Sequence, residues 1–135
     1  MTGTLVDSNV LIDVLSCDPI WAGWSRQALA DVGSEGPLII NQVIYAEVSH
    51  RYSREEVLDR ELPEDEFLRE HIPWAAAFLA GKAYLGYRRR GGRRRSPLPD
   101  FFIGGHAAVA DLRLMTRDPS RYRTYFPGLE LVTPG

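Results

Sequence analysis

An α/β sandwich around a mostly parallel sheet is the fold class this sequence predicts, and three observations carry it. Leu5-Val6, Leu38-Ile39-Ile40 and Leu112-Arg113-Leu114-Met115-Thr116 are short apolar runs of strand length. Between them stand stretches of helical periodicity, so strands alternate with helices rather than with hairpin turns. The first two runs pass straight into a helix through a capping residue, Ser8 in one case and Asn41 in the other. With 135 residues the chain reads as one domain, 1–135, long enough to bury a core.

Taken in order, the first strand ends at Asp7. Val10, Leu11 and Val14 then mark a helix capped by Ser8. Asp18-Pro19 reads as an N-cap followed by proline at the first helical position, opening a helix to about Val32 with Ile20, Trp24, Ala28 and Leu29 on one face. Gly33 to Pro37 closes it before the strand Leu38–Ile40. Val43, Ile44, Ala46 and Val48 continue from Asn41 as a helix that also carries Glu47. Ser53-Arg54-Glu55-Glu56 matches a capping box, Glu56 reaching back to Ser53, ahead of a charged helix to about Leu62. Glu64-Asp65-Glu66 opens a further turn as a solvated face. Pro73 starts a helix through Trp74, Phe78, Leu79, Tyr84 and Leu85, and Arg88 to Arg95 ends it. Ser96 to Pro99 is an extended connector. Asp100 begins an apolar helix with Phe101, Phe102, Ile103, Ala107, Ala108 and Val109. The strand 112–116 follows, then a turn at Arg117-Asp118-Pro119, and Leu129–Val132 reads as a last edge strand. Cys17 is the sole cysteine and reads as a core residue, so no intrachain disulfide forms. No apolar run has the length of a membrane span and the first residues lack a signal-peptide layout, which together point to a cytoplasmic protein with no membrane partner.

The net charge of −2 hides an asymmetry: residues 1–81 hold 14 acids against 5 Arg and Lys, whereas residues 82–135 hold 4 against 11. A basic C-terminal part suits a polyanionic partner.

Asp7, Glu47, Asp100 and Asp118 stand at strand–helix junctions or in the helices that follow them. The C-terminal ends of parallel strands share one edge, where ligands bind in folds of this class. Carboxylates gathered there repel, and at least one then holds its proton more tightly. A hard divalent cation, Mg²⁺ or Mn²⁺, removes that repulsion through oxygen ligands. Such an ion lowers the pKa of a bound water and clamps a phosphate oxygen, which is the chemistry of phosphodiester hydrolysis. His50, His71 and His106 lack zinc-ligand spacing.

With these residues in view, the sequence resembles PIN-domain ribonucleases, specifically the VapC-type toxins of toxin–antitoxin pairs. The blocks that carry the resemblance are Leu5 to Asp13, Asn41 to Glu47, Pro99 to Ala107 and Leu114 to Asp118. They occur in the family's order and span nearly the whole chain. The resemblance implies a PIN-like three-layer α/β/α sandwich and metal-dependent endonucleolytic cleavage of RNA. It implies that Asp7, Glu47, Asp100 and Asp118 hold Mg²⁺ or Mn²⁺, directly or through water, and that Asn9 and Thr116 orient acids or water. It also implies a homodimer and a cognate antitoxin, for which Trp21, Trp24 and Tyr52 offer apolar surface. Asp13 reads as a surface acid and His106 as a structural histidine.

Two other classes compete. A HAD-type phosphatase also begins with an Asp after a short strand, but needs an acid two residues later, where this chain has Asn9. A non-catalytic RNA-binding module using the Arg tract gains nothing from four negative charges in one cleft. The tract itself, Arg88, Arg89, Arg90, Arg93, Arg94 and Arg95 around Gly91-Gly92, has three readings: a grip on RNA phosphates, a dock for antitoxin acids, or a solvated loop.

Overall fold

In the computed structural model, residues 2–92 and 97–135 are described, and Arg93, Arg94 and Arg95 lie outside them. The chain begins with strand β1 (Thr4–Val6), buried throughout, and turns at Asp7 into helix α1 (Ser8–Leu15). Asp7 itself is the N-cap, accepting the Ser8 N–H at 2.8 Å, so Ser8 moves into the first turn. Cys17 follows the helix with φ 53°, and this left-handed turn leaves it exposed rather than in the core. Asp18 caps a turn instead of a helix: its carboxylate accepts from the Ile20 and Trp21 N–H groups. Helix α2 (Ala22–Gly33) therefore starts later than Pro19 suggests, and Ile20 projects into solvent.

Strand β2 (Leu38–Ile40) leads into α3 (Gln42–Ser49), whose N-cap Asn41 accepts the Ile44 N–H at 3.0 Å. The capping box does not form. Helix α4 (Glu55–Glu61) has no side-chain cap, because Glu56 is drawn to the Arg54 guanidinium instead of back to Ser53. After it comes β3 (Phe67–Arg69), a strand that charge-rich surroundings conceal in the sequence. Helix α5 (Trp74–Arg89) starts at Pro73, and α6 (Leu98–Val109) starts two residues before Asp100. Strand β4 (Arg113–Met115), a short helix α7 (Ser120–Tyr125) where the sequence suggests only a turn, and β5 (Leu131–Val132) complete the chain.

Among the described residues the five strands form one sheet, order β3-β2-β1-β4-β5, with every pairing parallel. The chain moves outward from β1 through β2 to β3, then crosses back to β4 on the other side. Right-handed crossovers then place α1 to α4 on one face and α5 to α7 on the other. The direction of travel reverses between β1 and β4, which makes their C-terminal ends the switch point of the sheet. Val6 pairs with Met115 there, and the Asp7 N–H donates to the Met115 carbonyl at 2.9 Å. Asp7 and Thr116 thus leave the sheet side by side. Helix α6 lies close against α5: a Cβ on Gly105 would stand 2.7 Å from the Ala76 carbonyl oxygen. That close contact fixes the helix whose first turn carries Asp100.

Candidate active site

Asp7 is 3% exposed at the switch point. One carboxylate oxygen takes the Ser8 N–H, and the other accepts the Thr116 and Tyr122 hydroxyls, each at 2.9 Å. Asn9 donates its side-chain amide to Thr116 Oγ1 at 3.2 Å and lies 3.5 Å from Asp7. The Asp118 N–H also reaches Thr116 Oγ1, at 3.1 Å, so one hydroxyl ties the loop after β4 to the acid after β1. These donors are neutral, and they do not balance the burial of a carboxylate. Burial first, and the charge of Asp100 second, raise the Asp7 carboxyl from 3.8 to about 7.

Glu47 projects from α3 and accepts the Ser8 hydroxyl at 2.7 Å. Asp100 projects from the first turn of α6, where Arg121 Nη1 donates to it at 2.7 Å. Burial raises the pKa of both. The charge of Asp100 raises Glu47 as well as Asp7, and the exposed Asp118 at the rim raises Asp100. Four acids from four separate segments thus act on one another electrostatically. Tyr122, buried and facing them, holds its phenolic proton well above its usual value, through burial and the charges of Asp7 and Asp100.

The donor set suits a hard divalent cation: all four groups are carboxylates, and mutual repulsion would be relieved by one. As the side chains stand, no three His, Cys, Asp or Glu among the described residues converge on one point.

Among the remaining residues, Asp13 departs from its sequence reading and His106 keeps its structural one. Asp13 is no surface acid: it is 2% exposed and holds Arg117 Nε at 2.6 Å, with Ser25 at 3.4 Å. His106 stands beneath α3, its Nδ1 3.0 Å from the Asn41 amide. Because that amide nitrogen can only donate, Nδ1 is the acceptor, and the ring braces the α3 N-cap. Trp21, Trp24 and Tyr52 are half-buried, Trp21 under the Arg117 guanidinium, whereas Trp74, Phe78 and Leu85 on α5 are exposed. Arg88, Arg89 and Arg90 end α5 in solvent, with Arg88 on the Gly92 carbonyl and Arg90 over the Tyr125 ring. Tyr122 and Arg121 escape sequence reading. Both sit on α7, and only an expected helix at Ser120 would have turned them towards the acids.

The PIN domain family model matches residues 4–127. The fold is shared with the VapBC2 complex of Rickettsia felis bound to a promoter DNA fragment, at TM-score 0.75 and 14% identity, covering 98% of this chain and 99% of that one. It is also shared with VapBC-1 of nontypeable Haemophilus influenzae, at TM-score 0.73 and 17% identity over 97% of each chain. A toxin–antitoxin complex from Klebsiella pneumoniae matches at TM-score 0.68 and 26% identity over 98% of each chain. No curated protein shows significant sequence similarity to the chain.

Proposed function

The chain belongs to the PIN-domain family, and from that membership we propose that it is a metal-dependent endoribonuclease, the toxin of a type II toxin–antitoxin pair. What supports this reading is the electrostatic coupling of the acids near the switch point: burial and the charge of neighbouring acids raise Asp7, Glu47 and Asp100, and Asp118 acts on Asp100. An acid cluster of this kind would hold Mg²⁺ or Mn²⁺ through Asp7, Glu47, Asp100 and Asp118, directly or through water. When bound, the ion supplies positive charge at the scissile phosphate and acidity for an attacking water. The reaction joins the water oxygen to phosphorus and breaks one P–O ester bond, and the leaving oxygen takes up a proton.

The chain's own residues set the geometry. Thr116 and Tyr122 fix one oxygen of Asp7, Ser8 fixes Glu47, and Asn9 holds Thr116 in place. The Arg tract, including Arg93, Arg94 and Arg95, grips RNA phosphates and sets affinity rather than sequence choice. Arg90 rests over Tyr125 of α7, the helix that also carries Arg121 and Tyr122.

The structural neighbours include VapBC complexes, and a cognate antitoxin is the partner in this reading. An amphipathic antitoxin segment would seat in the groove of about 640 Å³ whose apolar floor includes Leu11, Val14, Leu15 and Leu29 and whose lining also carries Arg26, Glu61, Asp65 and Glu66. Homodimerisation uses the exposed Trp74, Phe78 and Leu85 of α5. No helix among the described residues is long and apolar enough to cross a membrane, and the proposed setting is the cytoplasm, as a single domain over 1–135.

The test is incubation of purified protein with total RNA, with and without Mg²⁺ or Mn²⁺, and mapping of the cut ends. Cleavage that EDTA stops and Mn²⁺ restores, and that Asp100→Asn abolishes, supports the reading. Full cleavage by Asp100→Asn overturns the site.

A further inference from the structure

We propose that Arg121 is a catalytic residue of this pocket, the one that grips the scissile phosphate; the proposal rests on the nuclease reading above. A pocket of four carboxylates repels a polyanion, so something inside it must attract one. Among the described residues Arg121 is the only Arg or Lys ion-paired with any of the four acids, Nη1 standing 2.7 Å from Asp100 Oδ2. Arg117 and Arg69, which follow or end strands at the same edge of the sheet, are committed elsewhere, Arg117 to buried Asp13 and Arg69 to Asp59.

The placement of Arg121 is firm, and its guanidinium is accessible. It precedes Tyr122, whose hydroxyl is bonded to Asp7, so its backbone is anchored to the centre of the acid cluster. Its side chain is 37% exposed, and its guanidinium lies 5.8 Å from the Tyr87 ring centroid. A guanidinium offers five N–H donors in a planar fork that matches two phosphate oxygens. Only one of its nitrogens is needed for Asp100. A cation held at Asp100 would weaken that ion pair and leave the Arg121 fork available to the substrate. Negative charge that builds on the non-bridging oxygens during attack then meets a fixed positive charge in a partly dry site. Arg121 transfers no proton in this role.

The experiment compares the wild-type chain with Arg121→Ala and Arg121→Lys in three measurements. These are Mn²⁺ affinity by electron paramagnetic resonance, RNA affinity with Ca²⁺ in place of Mn²⁺, and single-turnover cleavage with Mn²⁺. Phosphate gripping predicts that Arg121→Ala keeps or tightens Mn²⁺ binding, because Asp100 loses a competing cation. It also predicts RNA affinity weaker by about tenfold and cleavage slower by roughly 10²- to 10³-fold, with Arg121→Lys recovering part of both. Wild-type cleavage by Arg121→Ala overturns the proposal and leaves the nuclease reading intact. A fall in Mn²⁺ affinity that accounts for the whole loss of cleavage also overturns it, since Arg121 then only places Asp100. Absence of metal-dependent cleavage in the wild type removes the nuclease reading itself.

Discussion

Helix α1 presents two buried carboxylates, Asp7 at its N-cap and Asp13 near its end, and they are treated in opposite ways. Asp13 receives a full cation, Arg117 Nε at 2.6 Å, and that guanidinium in turn covers the Trp21 ring. Asp7 receives two amides, from the Ser8 backbone and, at 3.5 Å, the Asn9 side chain, and two hydroxyls, all neutral, and faces other acids. The first is a closed ion pair that ties the loop after β4 to α1. The second keeps its charge unbalanced, which leaves the proton bound near neutrality or invites an external cation. Equal burial therefore does not mean equal purpose. The identity of the partner separates a clamp from a site.

Exchanging the two acids for amides should separate these purposes most sharply. Asp7→Asn is expected to lower RNA cleavage by roughly 10³-fold, about 4 kcal/mol of barrier, and to abolish the rise in melting temperature that Mn²⁺ gives the wild type. Asp13→Asn should lower the melting temperature in any buffer and keep that Mn²⁺ response. If Asp13→Asn loses the Mn²⁺ response while Asp7→Asn keeps it, the assignment is reversed.

Acidity should distinguish the two acids next. The Asp7 carboxyl stands at about 7 in the fold against an ordinary 3.8. Between those values the unfolded chain releases a proton that the folded protein keeps. Metal-free stability should therefore fall as pH rises from about 4 to about 7, by a few kcal/mol, with the full loss present above that range. Denaturant melts of wild type and Asp7→Asn across this window should differ in slope. Parallel slopes would show that Asp7 ionises freely in the fold.

Removing the cation from the clamp tests its other half. Arg117→Ala leaves Asp13 buried and unpaired, and a cost of about 3 kcal/mol is expected. Asp13→Asn in the same chain should recover part of it, because the stranded charge is gone. Urea titration of the single and double variants reads this coupling, and strict additivity would count against it.

The smallest effect belongs to the neutral donors of Asp7. Tyr122→Phe deletes one hydroxyl, worth about 1 kcal/mol, and should push the Asp7 carboxyl higher still, since that hydrogen bond favours its charged form. Carbon-13 NMR of the carboxyl groups gives the direction, and a downward shift would mean that Tyr122 does not support the charged acid.

The sequence by itself determined the alternation of strands and helices, the PIN resemblance and the positions of the four acids. These are local properties: apolar runs of strand length, an N-cap at Asn41, and motifs a few residues long. Strand β3 and helix α7 were not legible, because Phe67-Leu68-Arg69 is too short and too charged to show a period, and Ser120–Tyr125 spans under two turns. Tertiary structure alone decided which charges meet. Arg117 and Asp13 lie 104 positions apart, and Tyr122 and Asp7 lie 115 apart. Their contacts exist only because a parallel sheet brings every strand's C-terminal end to one edge. That edge is also where Arg121 reaches Asp100, and no pattern along the chain encodes the direction in which a side chain points once the sheet has formed.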